Sequence, residues 1–355
     1  MVSIRRLIAW YAPFRSNSGG TGAWLSWLIW LYLFVTISLV GIMHLAGDRW
    51  WLATVLLFGP RWLLSLPLVV LVPLTACYGR RLLLLLMITT LLIFGPFMGY
   101  NLPLFKIVAP LKQRVPALRV ITCNIQSGNF NPEHLFSLIN ESAPDVVALQ
   151  ECPKKFKLSL PSGWQLERAG ELAVLSRYPL RQVKSMTALH PPHTWPRTVL
   201  LHCVISAPGG DIDFCTVHLP SPRYGLQSVL SRKTILNPAR AGLLKQETEH
   251  RRKTSQDVRS VISALNQPVI IAGDFNMPVE SNIYSQVWGA YSNAFSSQGV
   301  GYGWTEGASQ RGIVMSVRID HILTGSGLTP SRCQVGPDVG SDHLPLIADI
   351  GRTKL

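Results

Sequence analysis

The segment VIIAGDFNMP, residues 269–278, places two polar side chains directly after a run of apolar residues. Asp274 and Asn276 lie two positions apart, on either side of Phe275. Side chains at i and i+2 of a strand point the same way, and open α/β sheets bind ligands at the carboxyl ends of their strands. A carboxylate can orient or deprotonate water, and a carboxamide can donate a hydrogen bond. The pair is therefore predicted to face a reacting ligand.

Polar side chains recur at the ends of other strand-like segments after residue 118. Any one of them has a simpler explanation, because Asn and Asp at a strand end usually cap a turn or a helix. Their recurrence is harder to explain in that way and predicts one shared site. The remaining members of this set are Asn124, Glu151, His218, Asp320, Asp342 and His343.

Short strand-like and helical segments alternate over residues 118–355, and they must position these side chains. LRVITCNI and PDVVALQE enclose the amphipathic segment PEHLFSLINES, which is typical of a β-α-β opening. The APGGD turn indicates a hairpin, and the basic helical segment EHRRKTSQDVRSVISAL precedes VIIAGDFN. These segments predict a layered α/β domain with mixed sheets.

Three apolar runs precede that domain, at residues 23–46, 62–78 and 82–102. A membrane-spanning helix takes roughly 20 residues, so the chain divides into a tail (1–22), a membrane region with about three transmembrane helices (23–102), a linker (103–117) and the α/β domain (118–355). The middle run contains two prolines, so a kinked span and a re-entrant hairpin are both open. The first run is too long for a cleaved signal peptide, and WWLATVLLF between the first two runs is a candidate interfacial helix.

Basic residues beside the apolar runs predict the orientation, because cytoplasmic loops are enriched in Lys and Arg. Arg5, Arg6 and Arg15 precede the first run, and Arg80 and Arg81 separate the second from the third. With three crossings the protein is a multi-pass protein of a bacterial inner membrane whose α/β domain is periplasmic. If only two runs cross, the domain faces the cytoplasm instead.

Charge and cysteine content limit the classes of partner. The net charge of +14 suits an anionic partner, whether nucleic acid, anionic lipid or a phosphorylated small molecule. The six cysteines show no CxxC or Cys/His spacing, so their pattern does not predict a zinc site. Cys203 and Cys215 flank the APGGD turn, and a disulfide between them is an alternative to two buried thiols.

The motifs CNIQ, LQE, LSRYP, TVHL, GDFN, RIDHI and GSDHLPL, in this order, resemble those of the endonuclease/exonuclease/phosphatase superfamily. Deoxyribonucleases, abasic-site endonucleases, neutral sphingomyelinases and inositol polyphosphate phosphatases belong to it. The resemblance covers residues 118 to about 350 and not the membrane region. It implies a four-layer α/β/β/α sandwich of two mixed sheets, here preceded by transmembrane helices, and metal-assisted hydrolysis of a phosphate ester.

Phosphodiester hydrolysis explains the types of residue at the strand ends. Water must attack an anion, so the site needs a cation on the phosphate oxygens, a group that deprotonates the water, and hydrogen-bond donors. Glu151 is a hard oxygen ligand for Mg²⁺, with Mn²⁺ as the alternative ion. Asn124 supports that ligand shell, and the resemblance adds Asp342.

The other predicted residues act on water and phosphate. Asp274 orients or deprotonates the attacking water, and Asn276 donates to a phosphate oxygen. His343 faces the scissile phosphate, and Asp320 fixes the orientation and tautomer of its ring. His218 contacts the phosphate or the leaving group, as the resemblance to deoxyribonucleases and sphingomyelinases implies.

Other residues are weaker candidates. Arg177 in LSRYP matches the family motif but equally suits a salt bridge, Glu171 is a possible partner of His218, and His321 is predicted to be structural. GYGWTE, with Trp304, is predicted to shape a substrate pocket. Residues 220–250 form a basic and apolar insertion, called here the flap, which suits a solvated surface, an anionic lipid surface or a nucleic-acid backbone.

These observations predict a membrane-anchored, Mg²⁺-dependent phosphoesterase whose N-terminal helices lie in the lipid bilayer. Its substrate is a phosphodiester of a phospholipid or of a nucleic acid. Two alternatives remain at this point: an extracytoplasmic nuclease proper, and a catalytically idle binding module on the same fold.

Overall fold

The computed structural model describes residues 21–103, 118–153, 162–189, 196–230, 239–310 and 313–353. Most of the predicted N-terminal tail and linker, and part of the flap, lie outside these ranges. The chain forms two compact units, one from residues 1–42 and 61–99 and the other from residues 43–60 and 100–355. Residues 43–60 comprise the end of the first apolar run and the segment that separates it from the second, yet they belong to the second unit.

Three N-terminal helical segments are long and apolar enough to cross a membrane: Gly22–Arg49, Arg61–Tyr78 and Arg80–Phe97. They contain α1 (Thr21–Ala46), α3 (Leu66–Tyr78) and α4 (Leu83–Leu92), and a π-helical turn (Ile93–Phe97) follows α4. Fewer than a third of the residues in each apolar window are buried. This leaves apolar surface outward, as lipid contact requires. Pro73 lies inside α3.

Two six-stranded sheets form the centre of the second unit. The first has the order β13-β14-β1-β2-β4-β3 and the second β5-β6-β7-β8-β12-β9. Both are mixed, because β1 runs parallel to β2 and β7 runs parallel to β8, while the other pairs are antiparallel. The strands are β1 (Leu118–Asn124), β2 (Val146–Gln150), β3 (Gln165–Ala169), β4 (Leu172–Ser176), β5 (Leu180–Leu189), β6 (Pro196–Ala207), β7 (Gly210–His218), β8 (Val269–Asp274), β9 (Ser292–Asn293), β10 (Glu306–Gln310), β11 (Ile313–Val317), β12 (Asp320–Thr324), β13 (Leu328–Val335) and β14 (Leu346–Arg352).

Apolar side chains from both sheets meet in one core, with Val120 and Val146 on the first sheet and Phe214 and Ile270 on the second. The alternation of side chains along a strand sends its other residues to the outer faces, where helices cover them. The outer helices are α5 (Pro132–Ser142) on the first sheet, and α7 (Ala239–Ser263) and α8 (Asn282–Val287) on the second. The predicted four-layer α/β/β/α sandwich is confirmed.

Shorter helices complete the unit: α2 (Trp51–Phe58), α6 (Arg223–Leu230) and α9 (Ala294–Gln298). The predicted basic helical segment is present in α7, which begins at Ala239, ten residues before Glu249. The described part of the flap is therefore largely helical. The helix α7 packs against α6, and tertiary packing of this kind favours its helical form.

The APGGD hairpin is present as β6 and β7, with Ala207 opposite Gly210. The alternative of a disulfide across it is wrong, since Cys203 and Cys215 are both free and buried. Cys203 is opposite Phe214 in the register, so Cys215 points to the other face of the sheet. Cys203 packs in the core between the sheets and Cys215 in the core under α7.

Candidate active site

The strand register brings the predicted site residues to one edge of the sandwich. In the first sheet the end of β1, Asn124, is opposite Gln150 at the end of β2. In the second sheet His218 and Asp274 are opposite each other at the ends of parallel β7 and β8, and Asp320 begins β12 beside Asp274. The carboxyl ends of both parallel pairs therefore meet, as the sequence predicts.

Gly273 allows the close approach of β7 and β8 immediately before the site. A Cβ atom at this position would lie 2.1 Å from the carbonyl oxygen of Val217. No other residue fits without moving one of the two strands, which end at His218 and Asp274. The glycine of the GDFN motif is therefore needed for the close packing of β8 against β7.

Asp274 lies at the centre of the site and is 1% exposed. Its Oδ1 atom accepts a hydrogen bond from the backbone N–H of Asn276 (2.8 Å). Its Oδ2 atom accepts from the Nδ2 atoms of Asn124 (3.1 Å) and Asn276 (3.2 Å). Burial, together with the nearby charge of Asp320, raises the pKa of Asp274 well above its usual value.

Asn276 links the two strand ends of the second sheet. Its Nδ2 atom donates to the carbonyl oxygen of Leu219 (2.8 Å) as well as to Asp274, and its backbone has a positive φ of 51°. Both amide hydrogens therefore have acceptors within the protein. Donation to a phosphate oxygen would require Asn276 to exchange one of these bonds.

His343 and Asp320 form a buried pair, with 2.8 Å between the Nδ1 atom of His343 and the Oδ2 atom of Asp320. The other ring nitrogen, Nε2, faces the site and lies 3.9 Å from the Oδ2 atom of Asp274. Burial alone would lower the pKa of His343, but Asp320 and Asp274 raise it well above its usual value. The pair thus holds an imidazolium in a fixed orientation.

Glu151 follows β2 and has a positive φ of 53°, an uncommon conformation outside glycine that occurs at functional sites. Its carboxylate accepts hydrogen bonds from Asn124 Nδ2 (3.3 Å) and Ser127 Oγ (3.1 Å). Burial would raise the pKa of Glu151, but the charge of His218 and these hydrogen bonds lower it. Glu151 is therefore a carboxylate anion at neutral pH.

His218 lies between the two carboxylates, with its Nε2 atom 3.7 Å from Glu151 Oε1 and 3.7 Å from Asp274 Oδ2. Burial lowers the pKa of His218, and the negative charge of Glu151 opposes this effect. The ring is therefore a weaker base than a free histidine and lies next to both carboxylates.

Gln126 and Ser127 belong to the site although the sequence reading did not select them. The Nε2 atom of Gln126 donates to Asp342 Oδ2 (3.0 Å), and its backbone N–H donates to Asn124 Oδ1 (3.0 Å). Both residues have positive φ values, 44° and 55°. The CNIQSG segment after β1 was the available signal, since a polar tight turn at a strand end bends side chains back toward the edge.

The donor set suits a divalent cation. The ligand atoms of Asp274, Asp320 and His343 all lie within 4.8 Å of one another, and Glu151 adds a partly exposed carboxylate. The buried Oδ1 atom of Asp320 has no hydrogen-bond partner among the described residues. An excess of oxygen donors with unbalanced negative charge is the environment that Mg²⁺ and Mn²⁺ prefer.

A cavity of about 840 Å³ adjoins the site, and Asp342 and Glu306 lie in its wall. Tyr302 and Trp304 of the GYGWTE segment also line it, with their rings stacked at 4.5 Å. The segment therefore shapes a pocket, as predicted, of a size typical for small-molecule sites.

Glu306, the last residue of the GYGWTE segment, connects this pocket to the flap. Its Oε1 atom lies 3.6 Å from the Nη2 atom of Arg223 at the start of α6, and its backbone pairs with that of His343. Burial raises the pKa of Glu306, and the nearby charges of His343 and Arg223 oppose this effect.

The weaker candidates lie elsewhere. Arg177 stacks on the Trp164 ring (5.5 Å). Glu171 lies 3.9 Å from Arg197, and its negative charge also acts on the pKa of His218, in the raising direction. His321 is buried and structural: its Nε2 atom is 2.9 Å from the Met277 carbonyl oxygen, and its Nδ1 atom is 3.2 Å from Asn293 Nδ2.

Solved structures with a similar fold come from several organisms. The 3′ phosphatase NExo from Neisseria, bound to a product DNA hairpin, has a TM-score of 0.50 and 16% identity over 66% of this chain and 99% of its own. Humanized TDP2 of D. rerio has a TM-score of 0.46 and 18% identity over 66% of this chain and 98% of its own. A family protein from Bacteroides thetaiotaomicron has a TM-score of 0.47 and 15% identity over 68% and 97%.

No curated protein matches the sequence. The model of the Endonuclease/Exonuclease/phosphatase family matches residues 121–343, well over half of the chain. The matched region begins in β1 and ends at His343, so it contains every strand end that forms the site. The resemblance inferred from the motifs is confirmed, and the chain belongs to the endonuclease/exonuclease/phosphatase family of phosphate-ester hydrolases.

Proposed function

We propose that the protein is a membrane-anchored, Mg²⁺-dependent phosphodiesterase. The observation that carries this proposal is the convergence of Glu151, His218, Asp274 and the His343–Asp320 pair at one edge of the two sheets. It unites a hard anionic ligand, a carboxylate of raised pKa and an oriented imidazolium, which together meet the needs of attack on an anionic phosphate.

In this proposal Glu151, Asn124 and Asp342 hold the metal ion. When bound, Mg²⁺ neutralises phosphate oxygens and the charge that develops in the transition state. The alternative group of Asp274, Asp320 and His343 is less suited to this role, because His343 and Asp320 already share a hydrogen bond at 2.8 Å. Gln126 and Ser127 orient Asp342 and Glu151 from outside the ligand set.

The other residues bind phosphate and move a proton. Asp274, whose pKa is raised by burial and Asp320, accepts the proton of the attacking water. His343 donates from Nε2 to a phosphate oxygen while Asp320 holds its Nδ1–H. His218, beside Glu151 and Asp274, contacts the phosphate or the leaving oxygen, and Asn276 holds Asp274 in place.

The surface of the flap favours a lipid headgroup as the substrate. Tyr224, Leu230 and Leu243 are large apolar side chains that are 41%, 42% and 43% exposed on α6 and α7. The ion pair between Arg223 and Glu306 ties the same surface to the wall of the pocket. Apolar side chains interleaved with basic ones suit insertion into a membrane interface.

The apolar N-terminal helices and their basic flanks support a periplasmic catalytic domain. Arg80 and Arg81 lie in the turn between the second and third candidate spans, where a cytoplasmic loop is expected. A domain anchored in this way meets lipid headgroups at a high effective concentration.

The test uses the full-length protein reconstituted into vesicles of phosphatidylethanolamine and phosphatidylglycerol. We expect Mg²⁺-dependent release of a water-soluble, phosphate-containing headgroup, which chelation abolishes. Asp274→Asn should abolish release, whereas Asp257→Asn, which changes an exposed carboxylate of α7, should not.

A nuclease is the second candidate, because the net charge of +14 suits a nucleic-acid backbone. Cleavage of a single-stranded DNA or RNA oligonucleotide without headgroup release would establish it in place of the lipid proposal. Absence of turnover on lipid, nucleic acid and bis(4-nitrophenyl) phosphate would contradict the enzymatic proposal and favour a binding module.

A further inference from the structure

Arg251 of α7 is a wholly buried cation behind the site. Its Nε atom donates to the carbonyl oxygen of Pro220 (3.1 Å), and its Nη2 atom donates to that of Asn276 (2.7 Å). Pro220 comes two residues after His218, and Asn276 comes two residues after Asp274. One guanidinium therefore fixes the chain immediately beyond both proposed catalytic strand ends.

The carboxylate paired with Arg251 comes from the loop between the first two apolar helices. Asp48, in a 3₁₀ turn (Gly47–Arg49), has its Oδ1 atom 3.5 Å from Arg251 Nη1, and the side chains are 0% and 1% exposed. Phe58, at the end of α2, places its ring 5.7 Å from the guanidinium carbon. Glu247 adds negative charge near Arg251, but its carboxylate accepts a hydrogen bond from the backbone of Gly225.

The same loop is packed tightly against α8. The Oδ2 atom of Asp48 accepts hydrogen bonds from the Ser281 hydroxyl and from the backbone N–H of Ile283 (3.2 Å), at the start of that helix. A Cβ atom at Gly47 would lie 2.5 Å from Asn282 Nδ2. On α2, Ala53, Thr54 and Leu57 are buried. Residues 47–58 thus have the contacts of a core element rather than of a free connecting loop.

We infer that residues 47–58 are an integral part of the catalytic domain, and that Asp48 is a positioning residue that acts through Arg251 on the strand ends of His218 and Asp274. A buried charge without its partner is strongly unfavourable, so the guanidinium stays in place only while this loop is docked. The catalytic part of the inference rests on the proposed function, whereas the docking of the loop does not.

The docked loop also constrains the membrane topology. Residues 47–58 and the catalytic domain must lie on the same side of the bilayer, since Asp48 contacts Arg251 and Ser281 directly. The chain between them, residues 61–99, therefore crosses the membrane an even number of times. Two crossings and a re-entrant hairpin both satisfy this condition, whereas a single crossing does not.

A double-mutant cycle on the full-length protein tests the docking without any substrate. Asp48→Asn keeps an acceptor for Ile283 but removes the charge, and Arg251→Met removes the cation. We expect each to lower the Tm by at least about 5 °C, and the double variant to be no less stable than the worse single variant. Additive losses would overturn the inference. If the Asp48→Asn variant does not accumulate in cells, the double variant that also carries Arg251→Met should accumulate. A double variant that does not accumulate would also count against the inference.

Turnover of bis(4-nitrophenyl) phosphate tests the positioning role. We expect Asp48→Asn and Arg251→Met each to lower kcat/KM by about tenfold or more per folded molecule. The double variant should lose about as much kcat/KM as one single variant, and not the product of the two losses. Ser281→Ala removes a hydrogen bond of Asp48 without touching Arg251, so it should lower the Tm and leave kcat/KM within twofold. Equal losses of activity in Ser281→Ala and Asp48→Asn would show that Asp48 has a purely structural role.

Cysteine labelling tests the topology. Cys77 is the exposed cysteine, so Cys77→Ala provides the background. Trp50→Cys and Asp257→Cys, both exposed, should react with a membrane-impermeant maleimide from the same side. Labelling from opposite sides would overturn the docking. A wild-type protein that turns over no phosphate ester would refute the proposed function and the positioning role, while labelling and the Tm cycle would still decide the docking.

Discussion

The Nδ1 atom of His343 lies 2.8 Å from the Oδ2 atom of Asp320, while its Nε2 atom faces Asp274 at 3.9 Å. Asp320 lies at the start of β12, opposite Asp274 in the strand register. One edge of the second sheet therefore supplies both the proposed base, Asp274, and the carboxylate that pairs with His343. These three side chains form the part of the site on which the first prediction depends.

Asp320→Asn should lower kcat by about 100-fold or more with little change in KM, because the amide cannot hold His343 as an oriented imidazolium. Turnover of bis(4-nitrophenyl) phosphate by the full-length protein measures it. Asp211→Asn is the matched control, since Asp211 is near the opposite end of β7 from His218 and pairs with Arg181. A loss smaller than threefold for Asp320→Asn would contradict the assigned role.

Glu151→Gln should raise the Mg²⁺ concentration that gives half-maximal activity by roughly tenfold or more, because a neutral amide is a weaker ligand for a hard cation. A titration of activity with Mg²⁺ after removal of bound metal with a chelator measures this. Glu171→Gln changes a carboxylate that pairs with Arg197 instead, and its titration should match the wild type. An unchanged Mg²⁺ midpoint in Glu151→Gln would mean that the metal binds elsewhere. The group of Asp274, Asp320 and His343 would then be the alternative site.

The buried His321 side chain should make the stability of the protein depend on pH, independently of catalysis. Burial lowers the pKa of His321 from 6.5 to about 4, so between these values the unfolded chain binds a proton that the folded protein does not. Its contribution to stability is therefore complete above pH 6.5 and is lost as the pH falls toward 4. Between pH 7.5 and pH 5 the loss should be about 2 kcal/mol in the free energy of unfolding. Denaturant unfolding at several pH values should show this loss of unfolding free energy in the wild type and a smaller loss in His321→Gln. Equal losses in the two proteins would refute the prediction.

Gly273→Ala should destabilise the protein by at least about 2 kcal/mol, because the new Cβ would lie 2.1 Å from the Val217 carbonyl oxygen. Activity should fall with it, as β7 and β8 end in His218 and Asp274. The comparison is Gly242→Ala in α7, where a Cβ meets nothing within 4 Å and the higher helix propensity of alanine should slightly stabilise the protein. Thermal unfolding of both variants measures the difference, and equal Tm values would contradict the prediction.

Trp304→Ala should raise KM about 3- to 10-fold with little effect on kcat, because it removes a stacked ring from the pocket wall and no group from the strand ends. Steady-state kinetics on the substrate found with the vesicle and oligonucleotide assays measures it. Val300→Ala removes an exposed side chain from the same pocket wall and should leave KM within twofold. A loss in kcat alone would mean that Trp304 supports the catalytic groups instead of the substrate.

Local properties of the sequence determined the three apolar helices, the alternation of strands and helices, and the polar residues at the strand ends. A run of about 20 apolar residues has few stable environments besides a membrane. Apolar strands that end in Asn124, Glu151, His218 and Asp274 place those groups at carboxyl ends whatever the order of the strands. The α/β class and the candidate site residues could therefore be predicted from these local patterns, whereas the family and the four-layer sandwich were implied by the resemblance of the motifs.

Only the tertiary structure decided which of these groups touch. The distances among His218, Glu151 and Asp274 depend on the register of both sheets and on how the sheets pack. The roles of Gln126 and Glu306 depend on backbone conformation and on a bridge to His343. Neither leaves a periodic signal in the sequence.

The pair of Asp48 and Arg251 shows this limit most clearly. Asp48 lies at the end of an apolar run and Arg251 in a basic helix, so each by itself is typical of a charged residue exposed to solvent. Both residues are buried because residues 43–60 are folded as part of the second unit. A buried charge requires a partner that is near in space, and hydrophobic periodicity carries no information about partners distant in the chain.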